Sequence, residues 1–184
     1  MNDHQLRVMM SSKSNEWETP DELFDGLNEV FNFTLDAAAQ PENARCDKYY
    51  TNGNVMCGRH VVTRSGLEHS WKGKTVFLNP PYGRGIDKWV EKAYYESLDD
   101  DKPKVLLIPA RTDTKFFSEF CCYAQEIYFI KGRLSFDNRT LPSYKKDGSH
   151  KVSPATFPSV IVVFYDGEEL RNVRWCSRDF KDVW

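Results

Sequence analysis

Thr75-Val76-Phe77-Leu78-Asn79-Pro80-Pro81-Tyr82 opens as a short apolar run and breaks at once into a polar turn. Val76-Phe77-Leu78 reads as a buried strand, and Asn79 to Tyr82 carry groups that a strand interior does not hold. Two prolines fix φ and stiffen the turn. The Asn79 side-chain oxygen and the Pro80 carbonyl can both accept hydrogen bonds from one exocyclic NH2 group, and Tyr82 offers a flat face for an extracted base. The blander reading of the same residues is a Pro-Pro turn that caps a strand.

Working outward from this turn, four further apolar runs read as strands: Phe33–Leu35 leading into Asp36, Val105–Ile108, Glu126–Ile130 and Ser159–Phe164. Ile86, Trp89, Val90 and Ala93 fall at helical spacing, as do Phe116, Phe117, Phe120 and Ala124. Ahead of them, Thr19-Pro20-Asp21-Glu22 has the pattern of a helix start, with Thr19 as N-cap, Pro20 at the first helical position and Glu22 completing a capping box. Leu23, Phe24, Leu27, Val30 and Phe31 then supply one apolar face. Near-continuous apolar strands alternating with amphipathic helices predict an α/β sandwich with a mostly parallel central sheet. Ligands in such sheets sit beyond the carboxyl ends of the strands. Asp36, the Asn79–Tyr82 turn and Pro109-Ala110-Arg111-Thr112-Asp113 are therefore expected on one rim.

The chain has 184 residues, 40% hydrophobic, which is enough for one core and sets a single domain over residues 15–184 as the expectation, after a flexible stretch at 1–14. No run of 18 apolar residues and no signal-peptide pattern occurs, so a cytoplasmic location is expected. Five scattered cysteines, without CxxC or zinc-ligand spacing, read as reduced structural thiols, and no metal is expected. Net charge is −2, yet residues 102–151 carry 10 Lys/Arg against 5 Asp/Glu. That middle stretch is the candidate electrostatic footprint for phosphates. It includes a basic loop, about 137–158, in which Lys145 and Lys146 either meet backbone phosphates or are simply solvated. Arg111 and Asp113 either meet a nucleotide or pair with each other at the surface, and Arg133 is a similar case.

Taken together, Trp17-Glu18-Thr19-Pro20, Leu35-Asp36-Ala37-Ala38 with Asn43-Ala44, Gly66-Leu67 with Trp71, Asn79-Pro80-Pro81-Tyr82-Gly83, Pro109 to Thr114 and Gly132 to Phe136 follow in an order that resembles the phage-type DNA N6-adenine methyltransferases. The resemblance covers about residues 15–165. It implies a Rossmann-like class I methyltransferase sandwich, S-adenosylmethionine as cofactor and double-stranded DNA as partner. Asn79, Pro80, Pro81 and Tyr82 become the catalytic candidates, Asn79 and the Pro80 carbonyl gripping the amino group of a flipped adenine while Tyr82 stacks on the base. Trp17, Thr19, Pro20, Asp36, Ala37 and Asn79 fall on the cofactor side; Tyr82, Arg111, Asp113, Arg133, Lys145 and Lys146 fall on the substrate side. One departure stands out: Asp36-Ala37-Ala38-Ala39-Gln40-Pro41 occupies the place of the usual Gly-rich loop.

The same turn also suits an RNA base or a protein glutamine amide, because all are planar nitrogens that need two acceptors. A DNA-binding module that keeps the scaffold without turnover is the non-enzymatic alternative. Base readout is expected from short loops, about 52–70 and 137–158. A phage role in protection from restriction is what the resemblance implies.

Overall fold

The apolar runs become strands of one sheet in the computed structural model, which describes residues 17–41, 43–51, 54–57, 60–63, 65–136, 153–167 and 172–184. Lys145, Lys146, the stretch 1–14 and most of the 137–158 loop lie outside the described residues. In chain order the elements are α1 (Asp21–Phe31), β1 (Leu35–Ala39), β2 (Tyr49–Thr51), β3 (Asn54–Cys57), β4 (His60–Thr63), β5 (Val76–Leu78), α2 (Ile86–Ser97), β6 (Lys104–Pro109), α3 (Lys115–Glu119), β7 (Glu126–Ile130), β8 (Ser135–Phe136), β9 (Ser153–Pro154), β10 (Ser159–Phe164) and β11 (Asn172–Cys176). The main sheet has seven strands in the order β11-β7-β10-β6-β5-β1-β2. Only β10 is antiparallel to its neighbours, β6 and β7; the other pairings are parallel. β3 with β4 and β8 with β9 form separate two-stranded hairpins.

β5, β6 and β10 are buried at every position, as strands covered on both faces must be. Ile86, Trp89, Val90 and Ala93 of α2 are buried at the expected spacing. α1 buries Leu23, Phe24 and Leu27, and Phe24 meets Phe77 of β5 edge to face at 5.1 Å between ring centroids. Gly26 lets the C-terminal turn close onto this helix, since a Cβ there would lie 2.0 Å from the Asp179 carbonyl oxygen. Among the described residues no helix is long and apolar enough to cross a membrane.

Several expectations are corrected. Strand β1 does not end before Asp36 but runs to Ala39, because Asp36 and Ala39 pair with Tyr49 and Thr51 of β2. Thr19 is not a cap: α1 begins at Asp21 after Pro20, with no side-chain capping bond, because the Thr19 hydroxyl is engaged elsewhere. Val30 is 60% exposed, so the apolar face of α1 is narrower than its sequence pattern. The helix expected over 116–124 stops at Glu119. Phe120 leaves helical geometry with its ring 5.7 Å from that of Tyr94, and a 3-10 turn follows. β11 escaped notice because it is an edge strand whose Val173, Arg174 and Trp175 are exposed, leaving no apolar run to read.

One charged pair sits inside this apolar frame. Lys104 is fully buried, and its Nζ donates to Asp100 Oδ2 at 2.9 Å, to the Lys74 carbonyl at 3.0 Å and to the Lys102 carbonyl at 2.8 Å, using all three donors. Asp100 also accepts from the amides of Gly73 at 2.7 Å and Lys102 at 3.0 Å. The pair thus ties the start of β6 to the turn that enters β5. Asp100→Ala strands the ammonium and is expected to cost about 3–5 kcal/mol in urea unfolding, whereas the double variant Asp100→Ala with Lys104→Met recovers most of that loss.

Candidate active site

Asn79 is the first residue beyond β5, and its carboxamide is held from one end only. Nδ2 donates to the Trp17 carbonyl and to Thr19 Oγ1, the latter at 3.0 Å. An amide turned the other way would set its oxygen against the Trp17 carbonyl, which has no hydrogen to give, so that contact fixes which end faces where and the Thr19 hydroxyl accepts alongside it. Oδ1 is thereby left buried without a hydrogen-bond partner. An unsatisfied buried acceptor costs about 1–3 kcal/mol, so its persistence beside a cleft marks a group oriented for a donor.

The cleft lies between the ends of β1 and β5. Asp36, Ala38 and Ala39 line it from the first strand, Gln40, Asn43 and Arg45 from the turn that follows, Phe77, Asn79 and Pro81 from the second strand and its exit, and Trp17 to Thr19 from the segment before α1. Asp36 is 3% exposed. Its Oδ1 accepts from the Ala38 amide at 3.3 Å and its Oδ2 from the Arg45 amide at 3.0 Å. Burial pushes its carboxyl up to about 6, against the lowering pull of those two amides and of the Arg45 charge. Where a Gly-rich loop was missing from the sequence, the turn closes on itself: the Gln40 amide donates to Asn43 Oδ1 at 2.7 Å and the Asn43 amide to the Gln40 carbonyl at 3.1 Å. Gly66 lets its segment pack directly on β1, since a Cβ there would lie 2.0 Å from the Ala37 carbonyl oxygen.

The structure brings Trp17, Thr19, Asp36, Asn79 and Pro81 together at the cleft. Ala37 is fully buried beneath it, and Ala38 and Ala39 line it instead. Pro20 borders a different groove, near Arg178. Pro80 is buried behind the turn. Tyr82 is 6% exposed: its hydroxyl donates to the Leu107 carbonyl at 3.1 Å, and Phe136 and Phe157 meet its ring edge to face at 6.0 and 5.5 Å. Arg111, Asp113 and Arg133 are exposed on turns that follow β6 and β7, outside the cleft. The surface pairing weighed for Arg111 and Asp113 is not formed among the described residues.

Sequence reasoning missed Arg45, whose guanidinium reaches Asp21 and the Thr19 carbonyl. No local pattern marks it, because its role arises only when the chain after β1 folds back toward α1. It likewise gave no role to Asn43, although Asn43 was among the residues carrying the family resemblance. Of the cysteines, Cys46, Cys121, Cys122 and Cys176 are free thiols, and burial pushes Cys121 and Cys176 up to about 12, which leaves them unreactive.

A family model described as DNA N-6-adenine-methyltransferase (Dam) matches residues 8–180. The chain is similar to the DNA N-6-adenine-methyltransferase of Escherichia phage T1, 36% identical over 123 residues, which is 66% of this chain and 47% of the phage protein. It is also similar to YfdM of Escherichia coli (strain K12), whose name carries the word methyltransferase, 33% identical over 86 residues, or 43% of this chain and 79% of that protein. The chain therefore spans about half the length of the phage relative.

The Asp36 carboxyl gives a pH test. A folded value of about 6 against an ordinary 3.8 means that the folded state binds the extra proton between them, so stability falls as pH rises through that window and levels off above it. Asp36→Asn lacks this decline. Urea midpoints taken from about pH 4 to pH 8 are expected to shift in the variant's favour by up to about 3 kcal/mol across the window.

Proposed function

This chain belongs to the DNA N-6-adenine-methyltransferase (Dam) family, and from that premise we propose that it methylates the exocyclic amino group of an adenine flipped out of double-stranded DNA, with S-adenosylmethionine as donor. The observation that carries the reading is Asn79 Oδ1, a buried acceptor with no partner whose orientation is fixed from the opposite end of the amide.

An adenine amino nitrogen is a poor nucleophile because its lone pair is delocalised into the ring. Asn79 Oδ1 and the Pro80 carbonyl accept its two N–H bonds, which favours a pyramidal nitrogen with the lone pair directed at the methyl carbon. The nitrogen turns acidic as it is alkylated, so a weak acceptor suffices for its proton and no strong base is required. Extraction from the duplex is part of the proposal because that nitrogen is occupied by its pairing partner in an intact helix.

S-adenosylmethionine, when bound, supplies an electrophilic methyl group on a sulfonium. The chemistry of the cleft lining suits such a molecule: Asp36 offers a carboxylate to hydroxyl or amino groups, Asn43 and Thr19 are polar neighbours, and Trp17, Phe77 and Pro81 offer apolar surface. On the substrate side Tyr82 remains the stacking residue, and Phe136 and Phe157 must part for a base to lie on its face. Arg111, Asp113 and Arg133, exposed on the rim, together with Lys145 and Lys146, are the proposed contacts to the DNA.

Incubation with methyl-labelled S-adenosylmethionine and, in competition, duplex DNA, RNA and a glutamine peptide is expected to place label on adenine N6 of the DNA. No label there, from a folded protein shown by calorimetry to bind the cofactor, overturns the proposal. Asn79→Ala is expected to lower transfer by about 100-fold or more while cofactor affinity and thermal midpoint hold. Unchanged transfer would remove Asn79 from its role.

A further inference from the structure

The orientation of the Asn79 amide depends on two acceptors, and both lie in one short segment, Trp17 to Thr19. A segment ahead of the first helix needs its own anchors to hold a side chain still. At one end the anchor is aromatic, with Trp17 edge to face against Phe136 and Phe157, each at 5.4 Å between centroids. At the other end it is Arg45.

Arg45 joins three elements. Its amide donates to Asp36 Oδ2 on β1 at 3.0 Å, its Nη1 pairs with Asp21 Oδ1 in the first turn of α1 at 2.5 Å, and its Nη2 donates to the Thr19 carbonyl. The guanidinium lies 5.7 Å from the centre of the Phe24 ring, and the side chain is 18% exposed. Thr19 thus carries two contacts at once: its carbonyl receives Arg45 and its hydroxyl receives Asn79. A displacement of the carbonyl carries the hydroxyl with it. The planar fork of arginine holds Asp21 and Thr19 at a fixed mutual angle, which a lysine ammonium, as a point charge on a flexible stem, does not.

We infer that Arg45 is a positioning residue, holding the Asn79 carboxamide in register through Thr19 without itself meeting the reacting atoms. Its catalytic meaning rests on the reading of Asn79 as the amine-holding group, whereas the positioning is a property of the folded chain and is measured without substrate.

The test follows the Asn79 side-chain NH2 resonances in nitrogen–proton correlation spectra of the full chain, identified by their loss in Asn79→Asp. In Arg45→Lys, and in Arg45→Ala where it folds, the two proton shifts are expected to converge toward those of exposed asparagines while the backbone spectrum stays dispersed. In parallel, kcat for methyl transfer at saturating cofactor is expected to fall about 10- to 100-fold, a loss separate from any change in cofactor KM that follows from the place of Arg45 in the cleft lining. Arg45→Lys added to Thr19→Val is expected to bring little further loss, because the hydroxyl through which Arg45 acts is already gone. Unmoved Asn79 resonances in folded Arg45→Lys overturn the inference, as do fully additive losses in the double variant. Shifted resonances together with no transfer by the wild-type protein uphold the positioning and count against the methyltransferase reading instead.

Discussion

Hydrogen bonding in a parallel sheet fixes where strands end, and the site follows from that constraint. β2, β1, β5 and β6 are neighbours in that order and run the same way. From β1 the chain continues outward to β2 on one side; from β5 it continues to β6 on the other. Between β1 and β5 the two connections diverge, and a crevice opens beyond their carboxyl ends because no loop crosses it from within the sheet. The residues at its walls are those at the ends of these two strands. The segment ahead of α1 then lies along the opening, held by polar contacts to both sides.

Three buried polar groups show how differently the fold treats charge and polarity. Lys104 lies far from the cleft and has every donor matched. Asp36, at the cleft, has two amide donors and still holds its proton well above the usual range. Asn79 Oδ1 has nothing. Ser159 Oγ on β10 is likewise buried without a partner, but of these atoms Asn79 Oδ1 belongs to a residue that lines the cleft, where stability given up for function is expected.

The sheet was legible wherever a strand is buried on both faces: Glu126–Ile130 and Ser159–Phe164 match their apolar runs residue for residue. Legibility failed at the edges. Asn172–Cys176 carries exposed side chains in the middle of the strand, and inside the sheet Asp36 interrupts β1 with a carboxylate that the Ala38 and Arg45 amides make tolerable. For the site, Asn79, Thr19, Trp17 and Asp36 could be picked out from the residues and the resemblance, while Arg45 could not, since its three partners are 9 to 26 positions away along the chain. Thr19 illustrates a subtler limit: a residue with cap chemistry was read as a cap, and the fold uses the same hydroxyl to hold another side chain.

The place of β10 in the sheet also shapes how the chain is made. β7 pairs only with β10 and β11, both of which follow it in sequence, and β10 is also what joins β7 to β6. A polypeptide emerging from the ribosome therefore carries Glu-Ile-Tyr-Phe-Ile with no strand to pair against until about thirty more residues have been added. At synthesis speeds of roughly 5–20 residues per second that interval lasts seconds. The strands β2, β1, β5 and β6 all precede β7 in the chain, whereas the pairing of β7 waits on β10 and β11. Chains interrupted in that interval would expose three unpaired strand edges at once, one of β6 and both of β7, each a template for pairing with another chain.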